Sequence, residues 1–282
     1  MGLLTFLARR FIAGETKEDA VRAVRDLNAL GMKTSLDILG ENVTSEALAR
    51  DLADKYIEVL ETINHENIKA NVSVKLTQMG LDISDDFCFD NVSRIIEAAR
   101  GRGNFVRIDM EGSDYTQRTL DLVYRWAEKY DNVGTVIQSM LYRSADDIAE
   151  LIRRGIRVRL CKGAYKEPAS VAFQKKEQVN ENFIKLMKML LDSGQFHSVA
   201  THDNVMIEAT KKYSDEKGIS KDRYEFQMLF GINRSGQVKL VREGYGMLVY
   251  VPFGTHWFPY YYRRLRERKE NILFILKHLF KG

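Results

Sequence analysis

The sequence predicts a (β/α)8 barrel of the TIM type with an extra helix at its N-terminus. Three observations predict it: short apolar segments alternate with amphipathic helical segments, the alternation occurs eight times, and it fills most of the 282 residues. Strict alternation of strand and helix implies parallel pairing with right-handed crossovers. Eight such units over about 250 residues is the count of a closed barrel. An open doubly wound sheet is the alternative, but open sheets usually have fewer strands.

The predicted strands share a short length and a high content of Val, Ile, Leu or Phe, which favours β-structure. They cover residues 34–39, 71–76, 105–111, 133–140, 156–164, 198–203, 224–231 and 246–253. The predicted helices share apolar residues at helical spacing. They cover residues 17–30, 44–63, 90–100, 115–130, 144–154, 170–192, 204–217, 235–243 and 257–280. We expect Thr44 to cap the second of these helices.

The amino-acid composition limits the number of domains and the kinds of partner that the chain can have. No change in composition divides it, so we expect one catalytic domain over residues 1–282, with a helical segment at about 1–33 and the barrel over 34–282. The net charge of +4 comes without a basic run, which argues against nucleic acid. Cys88 and Cys161 lack the spacing of a zinc site, so no metal is expected. No apolar run approaches the roughly 18 residues of a membrane span, and we expect a cytoplasmic protein.

Polar residues occur on seven of the predicted strands, where a barrel core would select apolar ones. They are Lys75, Arg107, Asp109, Glu111, Gln138, Arg157, Arg159, Lys162, Thr201, His202, Asp203, Glu225, Gln227 and Tyr250. In (β/α)8 barrels the chemistry takes place at the carboxyl ends of the strands. A single such residue could be a solvated loop residue, Arg157 and Arg159 could point outward, and His202 could be a hydrogen-bonded core histidine. The repetition over seven strands favours an active site at that end.

The last predicted helix carries a second polar pattern. Tyr260, Arg263, Arg264 and Glu267 are spaced i, i+3, i+4 and i+7, which places them on one stripe. Adjacent guanidinium groups offer forked donors that suit a carboxylate or a phosphate. A solvated face with an Arg263–Glu267 ion pair is an equally weighted alternative, although the neighbouring tyrosines favour a pocket.

With these motifs the sequence resembles the proline dehydrogenase family, in its short bacterial monofunctional form. The most specific motif is Y-x-x-R-R-x-x-E, present as Tyr260, Arg263, Arg264 and Glu267. The other matching segments follow in order: SVKL (73–76), RIDME (107–111), VIQSML (136–141), RLCKGAY (159–165), ATHD (200–203), YEFQMLFG (224–231), YVPFG (250–254) and ERKEN (267–271). The resemblance implies an FAD enzyme that oxidises L-proline to Δ1-pyrroline-5-carboxylate by hydride transfer to flavin N5 and passes the electrons to a quinone.

The resemblance also implies roles for individual residues. Lys75, Arg263 and Arg264 hold the substrate carboxylate, and Tyr165, Tyr250 and Tyr260 wall the proline ring. Asp109 and Arg159 are catalytic-site residues together with Tyr250, whose size argues for proline over hydroxyproline. The residues implied to contact non-covalently bound FAD are Met110, Gln138, Arg159, Lys162, Gly163, Ala164, Thr201, His202 and Glu267. We expect Asp109 to neutralise Arg264 or Lys75 rather than to act as a general base.

Two other functions remain compatible with the residues. Lysines at strand ends suit a barrel aldolase that forms a Schiff base through Lys75 or Lys162. The arginine stripe alone suits a non-catalytic protein that captures an anion. The first predicts trapping by borohydride, and both predict a protein without a flavin chromophore.

The two ends of the chain are apolar with basic neighbours, LLTFLARRF at 3–11 and ILFILKHLFKG at 272–282. A peripheral contact with the inner face of the cell membrane and simple packing on the barrel both explain this pattern. Glu41, after the first strand, is expected to pair with Arg263 when the site is empty and so to gate it. The resemblance does not extend to an aldehyde dehydrogenase domain or a DNA-binding arm, so a separate enzyme is expected to take the product.

Overall fold

The protein is a closed barrel of eight parallel strands in chain order, with β8 paired to β1. The computed structural model describes the backbone of residues 11–267 and the side chains of residues 11–262. The strands are β1 (Lys33–Ile38), β2 (Ala70–Val74), β3 (Val106–Ile108), β4 (Val133–Gln138), β5 (Arg157–Cys161), β6 (His197–Ala200), β7 (Tyr224–Leu229) and β8 (Gly246–Phe253). The predicted (β/α)8 barrel is therefore confirmed, and the open doubly wound alternative is wrong.

The helices surround the barrel and follow the strands in alternation. They are α1 (Lys17–Ala29), α2 (Glu46–His65), α3 (Asp85–Arg100), α4 (Ser113–Ala127), α5 (Ser144–Arg153), α6 (Lys176–Asp192), α7 (Asn204–Glu216), α8 (Arg234–Arg242) and α9 (Phe258–Glu267), with a short 3-10 helix at Lys221–Arg223. Helix α1 is the predicted extra helix before the first strand. It buries Ala20, Val24 and Leu27 and contacts β8 and β1.

Several helix starts differ from the prediction because of local hydrogen bonds. The cap of α2 is Ser45, whose hydroxyl accepts from the Leu48 backbone N–H at 3.4 Å, so the prediction of Thr44 was wrong by one residue. Helix α6 begins six residues later than predicted, at Lys176. The preceding residues bond instead to the loop after β4, where the Phe173 N–H donates to the Met140 carbonyl at 2.8 Å.

Three polar residues expected at the carboxyl ends of the strands lie towards the opposite end of the barrel. Arg157 and Glu225 are the first and second residues of their strands, and Arg107 donates to the Arg157 carbonyl at 2.7 Å. Glu225 accepts from Ser198 at 3.1 Å inside the barrel. Their assignment to the active-site end was wrong, because residues near the start of a parallel strand lie at the amino end of the barrel, and Arg157 and Glu225 already stood second in the predicted strands 156–164 and 224–231. Arg157 is exposed at this end of the barrel, whereas Arg159 is buried, so the outward orientation considered for Arg159 was wrong.

Among the helices that lie within residues 11–267, none combines the length and the apolar character needed to cross a bilayer. The end segments at 1–10 and 268–282, on which the expected membrane contact rests, lie outside the described residues.

Candidate active site

A cavity of about 880 Å³ opens at the carboxyl ends of the strands. The predicted site residues that line it are Lys75, Asp109, Met110, Gln138, Arg159, Lys162, Gly163, Ala164, Tyr165, Thr201, His202, Tyr250 and Tyr260. These are all the predicted site residues whose side chains are described. Arg263, Arg264 and Glu267 fall on helix α9, as predicted, but their side chains lie outside the described residues.

A chain of hydrogen bonds joins three strands across the inner wall of this cavity. The Tyr250 hydroxyl on β8 donates to Asp109 Oδ2 at 2.8 Å, and Arg159 on β5 donates to Asp109 Oδ1 at 2.9 Å. Arg159 also donates to the Ser73 hydroxyl on β2 at 3.1 Å, and its guanidinium carbon lies 5.4 Å from the centre of the Tyr250 ring. Both oxygens of the Asp109 carboxylate are therefore engaged, and its position fixes those of Arg159 and Tyr250.

Lys75 lies beside this chain and has a different carboxylate partner. Its ammonium donates to Asp37 Oδ1 on β1 at 2.6 Å and lies 3.4 Å from the Tyr250 hydroxyl. Asp109 forms no hydrogen bond to Lys75, because its oxygens are bonded to Arg159 and Tyr250, but its negative charge acts on the ammonium as expected. The other expected partner of Asp109 is Arg264, whose side chain lies outside the described residues.

Burial and charge set the ionisation of this group. Burial alone would lower the pKa of Lys75, but the carboxylates of Asp37, Asp109 and Glu41 raise it above its usual value. Burial, together with the charges of Asp109 and Asp37, raises the pKa of Tyr250 well above its usual value. Lys75 is thus a permanent cation at neutral pH, and Tyr250 is a neutral hydrogen-bond donor.

The loop after β5 forms a second wall. Gly163 has φ +108°, and a Cβ at this position would approach the Met140 sulfur to 2.3 Å, so only glycine fits. Lys162 donates to Asp203 at 2.6 Å, which ties the loop to the end of β6. Glu167, farther along the same loop, accepts from the Ser113 backbone N–H at 2.8 Å at the start of α4.

Other predicted polar residues hold the wall in place. Gln138 donates its amide N–H to the Glu111 carbonyl at 2.8 Å, and the Glu111 carboxylate accepts from the Thr77 hydroxyl at 2.6 Å. His202 Nε2 accepts from the Leu229 backbone N–H at 2.9 Å, but the side chain is half-buried and lines the cavity, so it is not the core histidine considered as an alternative. This bond requires the neutral ring with an unprotonated Nε2.

The size and lining of the cavity suit a flavin dinucleotide. Its volume is within the range of about 300–1,000 Å³ of cofactor sites, and its walls combine cations, amides and apolar groups. Arg159 Nε and Gln227 Oε1 are buried atoms on lining residues without a hydrogen-bond partner in the described part of the chain, so a bound ligand can satisfy them. Residues 11–262 contain no cluster of side chains that could hold a metal ion. The residues present therefore fit an organic cofactor such as FAD.

Two residues that organise the site, Asp37 and Glu167, were not predicted from the sequence. Asp37 was read only as part of a predicted strand, although a lone acid in the segment TSLDIL is itself a signal of a buried partner. Glu167 was overlooked because its role is to accept hydrogen bonds from Ser113, a residue 54 positions away in the sequence. Such a contact has no local signature.

Fold and site together define a class: a (β/α)8-barrel protein with a charged, largely buried cavity where enzymes of this fold hold their active sites. A family model described as proline dehydrogenase matches residues 20–276. The chain belongs to the proline dehydrogenase family, whose members are oxidoreductases that act on proline.

Individual relatives support the same assignment. Proline dehydrogenase 2 of Bacillus subtilis (strain 168) is 40% identical over 274 residues, which cover 97% of this chain and 90% of that protein. Proline dehydrogenase of Deinococcus radiodurans is 39% identical over 281 residues, with coverages of 98% and 91%. A crystal structure of proline utilization A from Bdellovibrio bacteriovorus, inactivated by N-propargylglycine, superposes with a TM-score of 0.87 at 26% identity. That match covers 92% of this chain and 32% of the larger protein.

Proposed function

We propose that this chain catalyses the FAD-dependent oxidation of L-proline to Δ1-pyrroline-5-carboxylate, with a quinone as electron acceptor, as the first step of proline catabolism. The observation that carries the proposal is the buried group of Lys75, Asp109, Arg159 and Tyr250 at one end of a cavity of about 880 Å³. This group offers fixed cations and a neutral hydroxyl to a small zwitterion.

The cofactor would lie along the wall formed by β4, β5 and β6. Met110, Gln138, Arg159, Thr201 and His202 line this part of the cavity together with the loop Lys162-Gly163-Ala164. Glu267 would contact it from α9. When bound, FAD supplies the acceptor for the hydride that proline loses from C5. The chain itself contributes binding, orientation and fixed charge.

The substrate would lie at the wall formed by β2, β8 and α9. Lys75, Arg263 and Arg264 would bind the carboxylate, and fixing that end of a rigid five-membered ring orients the other. Tyr165, Tyr250 and Tyr260 would enclose the ring. This proposal is supported by the Tyr250 hydroxyl, which lies 3.4 Å from the Lys75 ammonium, and by Tyr260, which lines the same cavity.

The charges also favour the reactive form of the substrate. Proline loses a hydride from carbon only when its nitrogen is uncharged, so the prolinium proton has to leave first. The cations Lys75 and Arg159 disfavour a further positive charge and lower the pKa of a bound ammonium group. Asp109 is engaged by Arg159 and Tyr250, which suits an orienting role rather than that of a proton acceptor.

Substitution of the arginine pair tests the carboxylate clamp. Arg263→Met or Arg264→Met should raise the KM for proline at least about tenfold, which corresponds to about 1.4 kcal/mol. The measurement is steady-state oxidation of proline with a soluble quinone. An unchanged KM in both variants would remove the pair from the site.

The ionisation of Lys75 argues against the aldolase alternative. A Schiff-base lysine needs a lowered pKa so that its amine is a nucleophile, whereas the carboxylates around Lys75 raise its pKa. Lys162 is held by Asp203 in an ion pair of 2.6 Å. Borohydride should therefore trap no carbonyl substrate on this chain. Turnover of proline distinguishes the enzyme from a protein that only captures an anion.

We further propose that the chain makes a peripheral contact with the inner face of the cell membrane, where quinones reside. The support is a pair of exposed aromatic rings at the start of α9: Phe258 and Tyr262 are 58% and 52% exposed and stack with centroids 6.5 Å apart. Cosedimentation with vesicles should fall in a Phe258→Ser, Tyr262→Ser double variant if this contact exists.

A further inference from the structure

We infer that Asp37 is the positioning residue of the carboxylate clamp: it holds the Lys75 ammonium in place and keeps it charged, without touching the substrate itself. The inference rests on the proposed function, because it takes the substrate carboxylate as the ligand of Lys75. It adds a residue that the resemblance and the sequence motifs leave without a role.

The positions of Lys75 and Asp37 differ in one respect: Lys75 can contact a ligand in the cavity and Asp37 cannot. Lys75 lines the cavity, whereas Asp37 is fully buried behind it and is absent from the lining. Asp37 Oδ1 accepts from the Lys75 ammonium at 2.6 Å. Any effect of Asp37 on a bound molecule therefore passes through neighbouring side chains: Lys75, to which it bonds, and Tyr250, on which its charge acts.

The ammonium has three N–H donors. One is directed at Asp37 and a second is near the Tyr250 hydroxyl at 3.4 Å. Within the described part of the chain this leaves one donor for an anion in the cavity. Asp37 thereby fixes the direction in which Lys75 presents that donor.

The other groups that face Lys75 cannot replace Asp37. Asp109 on β3 also bears a negative charge, but its two oxygens are bonded to Arg159 and Tyr250. Glu41, in the loop after β1, acts on Lys75 through its charge. Arg159 on β5 is a cation, so its charge repels the Lys75 ammonium and cannot stabilise it. In the described residues Asp37 is thus the one carboxylate that bonds to Lys75.

Removal of the Asp37 charge has a predictable consequence. A buried ammonium without its carboxylate has a lowered pKa, by several units in extreme cases. Lys75 would then lose its proton as the pH rises through the neutral range, and with it the attraction for a carboxylate. Binding of a carboxylate should become pH-dependent in the variant and stay nearly constant in the unmodified protein.

The test uses tetrahydrofuran-2-carboxylate, which keeps the ring and carboxylate of proline but has no amine to titrate. Its dissociation constant for the FAD-loaded protein is measured by calorimetry from pH 6 to pH 9. We expect a change of less than about twofold for the unmodified protein and a weakening of about tenfold for Asp37→Asn over the same interval.

Two further variants test whether the pH dependence comes from Lys75 and from the loss of its partner Asp37. In Asp37→Asn with Lys75→Arg, the guanidinium keeps its charge at every pH, so the pH dependence should disappear even if affinity is lower. Asp203→Asn is the matched control, because it removes the carboxylate of another 2.6 Å lysine pair at the cavity, one whose side chains are 24% and 26% exposed. It should leave the pH profile of carboxylate binding flat.

The outcomes separate the inference from the function on which it rests. A flat profile in Asp37→Asn, or persistence of the pH dependence in the double variant, overturns the inference and leaves the function standing. Failure of the unmodified protein to bind the probe overturns the clamp itself. If Asp37→Asn does not fold, Asp37→Ser is measured over the same pH range with the same two outcomes. A loss of affinity in the unmodified protein between pH 7 and pH 9 would also overturn the inference, because Lys75 would not be kept charged.

Discussion

The Tyr250 hydroxyl lies between groups of opposite charge, since it donates to Asp109 at 2.8 Å and lies 3.4 Å from the Lys75 ammonium. Its ring is thereby held at the end of β8, facing the cavity. A side chain fixed at both its ring and its hydroxyl is a rigid wall. Residue-level specificity for a small ring substrate is expected to depend on such a wall.

Substitution of Tyr250 tests this role. Tyr250→Ser should raise the ratio of kcat/KM for hydroxyproline to that for proline by about tenfold, because space opens for a ring hydroxyl. Tyr250→Phe is the matched control, since it removes the hydroxyl but keeps the ring and should leave the ratio low. The measurement is steady-state kinetics with both substrates. An equal ratio in Tyr250→Ser and the unmodified protein would refute the role.

A second residue-scale prediction concerns acid stability. Burial, together with the charges of Arg107 and Arg157, lowers the pKa of His197 to about 4. The unfolded histidine titrates near 6.5, so the unfolded state binds more protons between these values and stability falls as the pH drops. The contribution of His197 to the free energy of unfolding therefore falls by about 3 kcal/mol between pH 7 and pH 4.

The matched variant is His197→Asn. The His197 ring accepts from the Val158 N–H through Nδ1 at 3.0 Å, and an asparagine oxygen can take that bond without titrating. Urea unfolding at several pH values should show a shallower loss of stability in the variant. Equal slopes for the two proteins between pH 6.5 and pH 4 would contradict the assignment.

What the sequence could reveal at this scale was residue type, not pairing. Polar groups at strand ends predicted Asp109, Arg159 and Tyr250 as neighbours of one cavity. The sequence could not predict that Asp109 pairs with Arg159 while Lys75 pairs with Asp37, because pairing depends on which residues face each other across β1, β2, β3 and β5. The roles carried over from the family stay predictions for each residue.

At the scale of elements, the loop between β5 and α6 is held by a helix from elsewhere in the chain. Helix α4 lacks a side-chain cap of its own, since its N-cap is Gly112. Glu167 supplies the cap by accepting from the backbone N–H and the hydroxyl of Ser113. The carboxylate also suits the positive end of the helix dipole. One contact thus stabilises α4 and positions the loop that carries Gly163.

This contact predicts a combined effect on stability and cofactor binding. Glu167→Ala should cost about 1 kcal/mol of unfolding free energy, as for other lost caps, and should also weaken FAD binding several-fold. Ser84→Ala is the control, because Ser84 caps α3 through the Phe87 N–H at 3.1 Å, a contact made away from the cavity loop. Fluorescence titration with FAD measures the difference. Equal FAD affinity in both variants would contradict the account.

Element boundaries illustrate where sequence patterns stop being informative. The apolar spacing before Lys176 extended the predicted α6 back to residue 170, but these residues form backbone bonds to the loop after β4. Tertiary hydrogen bonds outweigh helical spacing there. The cap at Ser45 in place of Thr44 has a local cause instead, because Ser and Thr are both favoured caps and the hydrogen bond from the Leu48 N–H goes to Ser45.

At the scale of the whole molecule, the count and alternation of elements were enough to predict the barrel, because few folds accommodate eight parallel strands in chain order. The closed topology then brings the carboxyl ends of all the strands together. Residues as far apart in the sequence as Lys75 and Tyr250 become neighbours. Arg107 and Glu225 lie towards the other end of the barrel, as their positions near the start of the predicted strands 105–111 and 224–231 indicate.

The most direct measurement is the anaerobic absorption spectrum of the FAD-loaded protein during titration with L-proline. The account predicts a flavin band near 450 nm that is lost when proline is added and that persists when tetrahydrofuran-2-carboxylate is added in its place. A protein that stays colourless in excess FAD, or a band that proline leaves unchanged, would contradict it.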